Sequence, residues 1–268
     1  METGEFKRIQ TAIAIDLERV ATEVARIDPS RGTTTFPVGD GRAILLGRGL
    51  YVNRAIGVSM LEDHLLDDFE NSSTAAGQLP AIEVSETTDR DFVDRLFSRG
   101  YESVGETVLM SRLLSADENF DASERFAIEL VTHDTVDIWC ETNARGWGHE
   151  TDDARATSDL YARAALIAQD PGLLLARSSE DRRLVGCGAL AVVDGIGWLG
   201  GMSVLPAERG HGAQRALIAH RLRLASSREC DLAVTQAARD SLSQRNLEAS
   251  GFAQIQQVTT LRRPIVGA

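Results

Sequence analysis

The chain has 268 residues, 43% hydrophobic and 25% charged, with 40 acids against 28 bases and a net charge of −12. That length and composition predict one large or two modest globular domains with a proper core. They exclude a disordered chain, a collagen-like repeat and a disulfide-stapled miniprotein. The charge is uneven. Residues 1–122 hold 22 Asp+Glu and 12 Lys+Arg, a net of −10, and the rest holds 18 acids and 16 bases, a net of −2. A negative field argues against nucleic acid or anionic membrane as partner and favours cationic ligands. Cys140, Cys187 and Cys230 are far apart and in no CxxC spacing. They read as reduced thiols of a cytoplasmic protein, with no metal site. Residues 1–8 lack the apolar core of a signal peptide. No apolar run reaches the ~18 residues of a membrane span.

In chain order, Phe6, Ile9, Ala12, Ile13, Leu17, Val20, Val24 and Ile27 recur at helical spacing and predict an amphipathic helix over 5–27, stopped by Asp28-Pro29. Three strands follow at Thr33–Val38, Ala43–Leu46 and Tyr51–Val58, the first two joined by Gly39-Asp40-Gly41. Leu61–Phe69 reads as an acidic helix, Ala81–Val84 as a strand, and Arg90–Ser98 as a helix capped by Asp89 and stopped at Gly100. Tyr101–Leu113 reads as a strand. The polar stretch 116–123 reads as a linker between domains 1–115 and 124–268.

The second half opens on strand Phe126–Leu130, then helices around Asp134–Thr142 and Asp159–Ala168. Strands Leu173–Arg177, Leu184–Val193 and Trp198–Val204 come next, the last two joined across Asp194-Gly195, a hairpin signal. Helix Ala213–Ala225, strand Leu232–Thr235, helix Ser241–Ala249 and closing strand Phe252–Leu261 complete the chain. The two halves read as one plan written twice. In both, the last helix ends in Gly followed by an aromatic: Gly100-Tyr101 and Gly251-Phe252.

The chemistry concentrates in a strand, a proline turn, the loop Arg209-Gly210-His211-Gly212 and a helix. Glycines let backbone curl around an anion, and a helix N-terminus offers unpaired N–H groups, so this pattern points to a phosphate or pyrophosphate, or else to a plain tight turn. The loop lacks the GK[ST] ending of a P-loop and the third glycine of a dinucleotide fingerprint.

Arg209-Gly210-His211-Gly212-Ala213-Gln214 resembles the Arg/Gln-x-x-Gly-x-Gly/Ala loop of the GNAT superfamily of acyl-CoA-dependent N-acyltransferases, with Gln214 departing at the last position. Ser243-Gln-Arg-Asn246 followed by Gly251-Phe252 is similar to that family's Ser-x-x-Asn helix and Gly-Phe step. The resemblance covers about 124–263. It implies an α/β fold with a mixed sheet and two tandem GNAT-like domains. The first is degenerate, without the loop and with Glu62, Asp63, Asp67 and Asp68 where a pyrophosphate would lie.

The resemblance further implies acetyl-CoA as co-substrate. Backbone groups of Met202, Ser203 and Val204 would pair with the pantetheine arm. N–H groups of Arg209, Gly210, His211, Gly212, Ala213 and Gln214 would hold the pyrophosphate. Asn246 would touch the cofactor near its pantetheine end. Gly200-Gly201 are placed for a bulge that splays the fourth strand from the fifth, with a donor near Met202 for the thioester oxygen.

The expected reaction is acetyl transfer to a primary amine of a small molecule, cationic if the acidic half steers it. A homodimer is compatible with the sequence. The catalytic residues stay unassigned: the family's acid, a Tyr one place after Asn246, is Leu247, and the fourth strand carries no Glu. Acceptor contacts are expected among His133, Asp134, Trp139, Glu141, Trp147, His149 and Glu150. A non-catalytic acyl-CoA-binding regulator and a transferase with another acyl donor, such as aminoacyl-tRNA, stay open beside the enzyme. The net charge weighs against RNA.

Overall fold

The structure, a computed structural model, describes residues 3–48, 52–115, 120 and 123–264. The chain divides into two compact units, Met1–Leu109 with Ile255–Ala268, and Met110–Gln254. The expected linker 116–123 lies outside the described residues except at Phe120 and Ser123.

The first unit opens on helix α1 (Thr3–Ile27), whose apolar series Phe6, Ile9, Ile13, Leu17, Val20 and Val24 is buried as the spacing requires. Strands β1 (Thr34–Val38) and β2 (Gly41–Leu45) form a hairpin. Gly39 takes a left-handed φ of 56° in its turn, which a two-residue hairpin loop demands. Strand β3 (Asn53–Ile56), acidic helix α2 (Asp63–Ala75) and strand β4 (Ala81–Ser85) follow. Helix α3 (Arg90–Ser98) is capped by the Asp89 carboxylate, which accepts from Phe92 N at 2.9 Å, and leads into β5 (Glu102–Leu113). The acidic face of α2 is partly neutralised: Asp63, Asp67 and Glu70 all pair with Arg99.

The second unit begins with β6 (Phe126–Leu130), α4 (Val136–Trp147) and α5 (Asp152–Ala168). Both helices exceed their expected spans. Helix α4 runs on to a left-handed Gly148, and α5 starts early because the Thr151 hydroxyl accepts from Ala154 N. Strands β7 (Pro171–Ser178), β8 (Leu184–Val193) and β9 (Ile196–Val204) are followed by α6 (Ala213–Ser227), β10 (Leu232–Ala238) and α7 (Leu242–Glu248). This unit's strand order is β10-β9-β8-β7-β6.

The closing strand β11 (Ala253–Arg262) differs from expectation. The sequence places it in domain 124–268, yet it pairs antiparallel with β4, from Val258↔Ser85 to Arg262↔Ala81, giving the first unit the order β1-β2-β3-β4-β11-β5. The reason is packing: Leu261 completes the first unit's core with Leu66, Phe69, Ile82, Phe92 and Leu96. The duplication also needs adjustment. From α5 onward the elements repeat the order of α1 to β5, but β6 and α4 precede that set without a counterpart.

Candidate functional site

The site grows from an irregularity in β9. Strands β8 and β9 meet at a two-residue turn, Asp194 and Gly195, both with positive φ as a type I′ turn requires. Pairing runs regularly from Val193↔Ile196 to Ala189↔Gly200. Then Cys187 faces Ser203, so Gly201 and Met202 together oppose the single Gly188. That is a β-bulge at the expected glycines, with Gly201 at φ 52°. On its other edge β9 pairs parallel with β10, from Ile196↔Leu232 to Leu199↔Thr235, and the register stops where the bulge begins.

Beyond β9 the chain turns through Pro206–Glu208 into the glycine loop. Gly210 and Gly212 have φ of 81° and 90°, and a Cβ on either would meet nothing within 4 Å. The space above the loop is therefore open and the backbone needs glycine. Gly212 is the N-cap of the 15-residue α6 and has no capping side chain. The first intrahelical bond is Ala216 N to Gly212 O at 3.1 Å, so the N–H groups of Ala213, Gln214 and Arg215 precede the ladder. The positive end of the helix dipole thus faces the loop. Arg209 anchors the loop by donating from Nη2 to Gly146 O at 2.8 Å and from Nε to Val204 O at 3.3 Å. The Glu208 carboxylate is held by Arg183 at 3.0 and 3.2 Å.

A cavity of about 570 Å³ lies against these elements. Met202, Ser203, Val204, Arg209, Gly210, Gly212, Ala213, Gln214 and Asn246 line it; of the residues expected in the site, only His211 does not. His211 instead lines a neighbouring cavity of about 420 Å³ with Arg112, Arg125 and Arg215. Gln214, where the loop departs from the family pattern, links the two motif blocks. Its Nε2 donates to Ser243 Oγ at 3.1 Å, and its Oε1 accepts from Asn246 Nδ2 at 2.6 Å. Asn246 therefore lines the cavity with one amide group already engaged.

The expected acceptor residues separate. Trp147 is 61% exposed at the cavity, whereas Trp139 is buried and donates from Nε1 to Gly188 O at 3.1 Å, opposite the bulge. Glu141 pairs with Arg155 at 2.9 Å, and His133, Asp134 and Glu150 are exposed outside the cavity lining. His149 is half-buried and also outside that lining. Leu247 is buried, so the place of the family's acid is a core position. Burial pushes the thiols of Cys140 and Cys187 up to about 12, which leaves neither as a thiolate. His220 is half-buried. Burial and the neighbouring Arg223 push it down to about 4, so it is neutral at pH 7.

Sequence reasoning missed Arg221. It is 1% exposed and donates to Ala189 O and Gly200 O, each at 3.2 Å. The signal was its place in the i, i+4 series Ala213, Leu217, Arg221, Ala225, which is otherwise apolar and buried. No group of His, Cys, Asp and Glu that could hold a metal ion occurs among the described residues, and no helix there is long and apolar enough to cross a membrane.

Residues 132–252 match the model of the Acetyltransferase (GNAT) family. No curated protein matches the sequence. Among solved structures, the chain is similar to a GCN5-related N-acetyltransferase from Kribbella flavida, at 16% identity and TM-score 0.64 over 97% of this chain and 96% of that one. It is also similar to a tandem GNAT protein from the clavulanic acid biosynthesis pathway, at 13% identity and TM-score 0.61 over 92% and 89%. A GCN5-related N-acetyltransferase from Sphaerobacter thermophilus aligns at 16% identity and TM-score 0.59 over 76% and 69%. Bulge, glycine loop and helix terminus thus lie inside the segment that matches the GNAT family model, within a chain whose mixed α/β fold is similar to that of a tandem GNAT protein.

Proposed function

We propose that this domain transfers an acetyl group from acetyl-CoA to the primary amine of a small molecule. The observation that carries the proposal is convergence: a strand that leaves its partner at a bulge and a helix N-terminus with unpaired N–H groups open on one cavity. Those features fit the donor's chemistry. A pyrophosphate needs N–H donors and a positive potential, which Gly210 to Gln214 provide. The amide-bearing pantetheine arm needs a strand edge, and Met202–Val204 is one.

The donor supplies an activated acyl carbon. The chain's own groups bind, align and polarise. A backbone N–H near Met202 donates to the carbonyl oxygen on which negative charge grows. Holding amine and thioester together supplies much of the rate. The amine attacks the thioester carbonyl, the C–S bond breaks and coenzyme A leaves; because neither Leu247 nor β9 offers an acid or base, water takes the amine proton and protonates the departing thiolate. A net charge of −12 favours a cationic acceptor. The same lack of an acid and base motivates a second reading, an acyl-CoA-binding regulator without turnover.

A thiol-release assay with acetyl-CoA over a panel of cationic, neutral and anionic amines separates the two. Turnover favouring cationic amines supports the enzyme. Coenzyme A binding with no turnover on any amine supports the regulator.

A further inference from the structure

A strand that parts from its neighbour leaves backbone carbonyls without ladder partners, and a buried unpaired carbonyl is costly. Around this bulge the accounting closes through side chains. Leu199 O accepts from Thr235 Oγ1 at 2.8 Å and Gly188 O from the Trp139 indole at 3.1 Å. Gly200 O and Ala189 O, paired across β8 and β9, both accept from Arg221 Nη1 at 3.2 Å. The other guanidinium nitrogens engage Leu217 O and the Met202 sulfur. Arg221 is a fully buried cation held by carbonyls and a sulfur. Such a group costs folding free energy through desolvation. Its value lies in what it fixes.

A trans peptide carries its C=O and N–H on opposite sides. Holding Gly200 O toward α6 therefore turns the Gly201 N–H away from α6, and a cation on the carbonyl polarises that peptide and strengthens its N–H as a donor. The planar fork reaches both strands at once, which a lysine ammonium cannot do as rigidly.

We propose that Arg221 is a positioning residue: its guanidinium replaces the ladder bonds that β9 loses and fixes the bulge in the orientation that binds and polarises the acyl donor. This rests on the proposed donor site, so the test has one arm that needs no ligand. Amide exchange at Gly201–Ser203 is compared in the native full chain, Arg221→Met, Arg221→Lys and Thr235→Val, beside coenzyme A calorimetry and thermal melting. Arg221→Met keeps volume but removes the donors. It should speed exchange at these amides about tenfold and weaken coenzyme A about tenfold per folded molecule, over and above any fall in melting temperature. Arg221→Lys should recover part of both. A merely structural arginine would lower the melting temperature and leave affinity per folded molecule intact, and that result overturns the proposal. So does unchanged exchange. If Arg221→Met does not fold, Arg221→Lys and Thr235→Val carry the test, each with a smaller acceleration at the same amides. Failure of the native chain to bind coenzyme A would sink the donor site while leaving the exchange arm to judge Arg221.

Discussion

Gly146→Ala in α4 should destabilise the protein, although glycine within a helix is the usual target for a stabilising substitution. At an open helical site the change would add about 0.5–1 kcal/mol, because alanine loses less conformational entropy. Gly146 is not open. A Cβ there would stand 2.3 Å from Ser203 Oγ and 2.6 Å from Ser203 Cβ, against an ordinary contact of 3.4–4 Å. Helix α4 would have to lift from β9 by about an ångström, and overpacking of this kind costs about 1–3 kcal/mol. The net expectation is a loss of up to ~2 kcal/mol, read as a lower urea midpoint at unchanged m-value. The same shift would stretch the 2.8 Å bond from Arg209 to Gly146 O and loosen the glycine loop, so coenzyme A affinity should fall several-fold. Ser203→Gly placed on top of Gly146→Ala makes the missing room and should restore most of both losses, a non-additivity that marks direct contact. A Gly146→Ala protein that is more stable than native, with intact affinity, would refute the close packing of α4 on β9.

Three further outcomes follow from the same geometry. Trp147 is 61% exposed at the cavity, Trp139 is 2% exposed and Trp198 is half-buried outside the cavity lining, so most of the change that coenzyme A causes in tryptophan emission should be lost in Trp147→Phe. Leu261→Ala should cost ~2–5 kcal/mol and speed amide exchange at Ile82 and Val84, because this residue of the last strand sits 1% exposed in the first unit's core; effects confined to 124–254 would contradict that assignment. His220 is held near pH 4 against 6.5 when exposed. Over that window the unfolded chain binds the proton and the folded chain does not, so stability should rise with pH from about 4 to 6.5. His220→Gln should flatten that slope in urea titrations between pH 4 and 7, and an unchanged slope would show that His220 is not its source.

Local signals carried most of the fold. Apolar spacing located α1, Asp89 and Ser241 marked helix starts through their side chains, and Asp194-Gly195 marked the hairpin that leads to the bulge. Each of these acts within a few residues of itself, which is why it could be read. The partner of the last strand could not. β11 alternates as a strand beside any neighbour, and what assigns it to β4 is the space that Leu261 fills, a contact nearly 180 residues away in sequence from Ile82. The glycine loop was legible because glycine conformation and helix termini are local properties. Its support was not. Arg221 and Trp139 act on the sheet through backbone carbonyls and Gly146 through close packing on Ser203, and a lone arginine in an apolar series was the only trace.

The proposed function depends on whether the turn at 209–214 cradles the pyrophosphate of coenzyme A. Gly210→Asp tests it most directly. The position has open space for a side chain, its φ of 81° is one aspartate tolerates better than most residues, and the carboxylate would enter the cradle. Titration calorimetry of coenzyme A should show one site per chain in the native protein and no measurable heat in Gly210→Asp, whose melting temperature falls only by the strain of a left-handed non-glycine residue. A native chain that gives no heat, or a Gly210→Asp protein that binds as tightly as native, would contradict it.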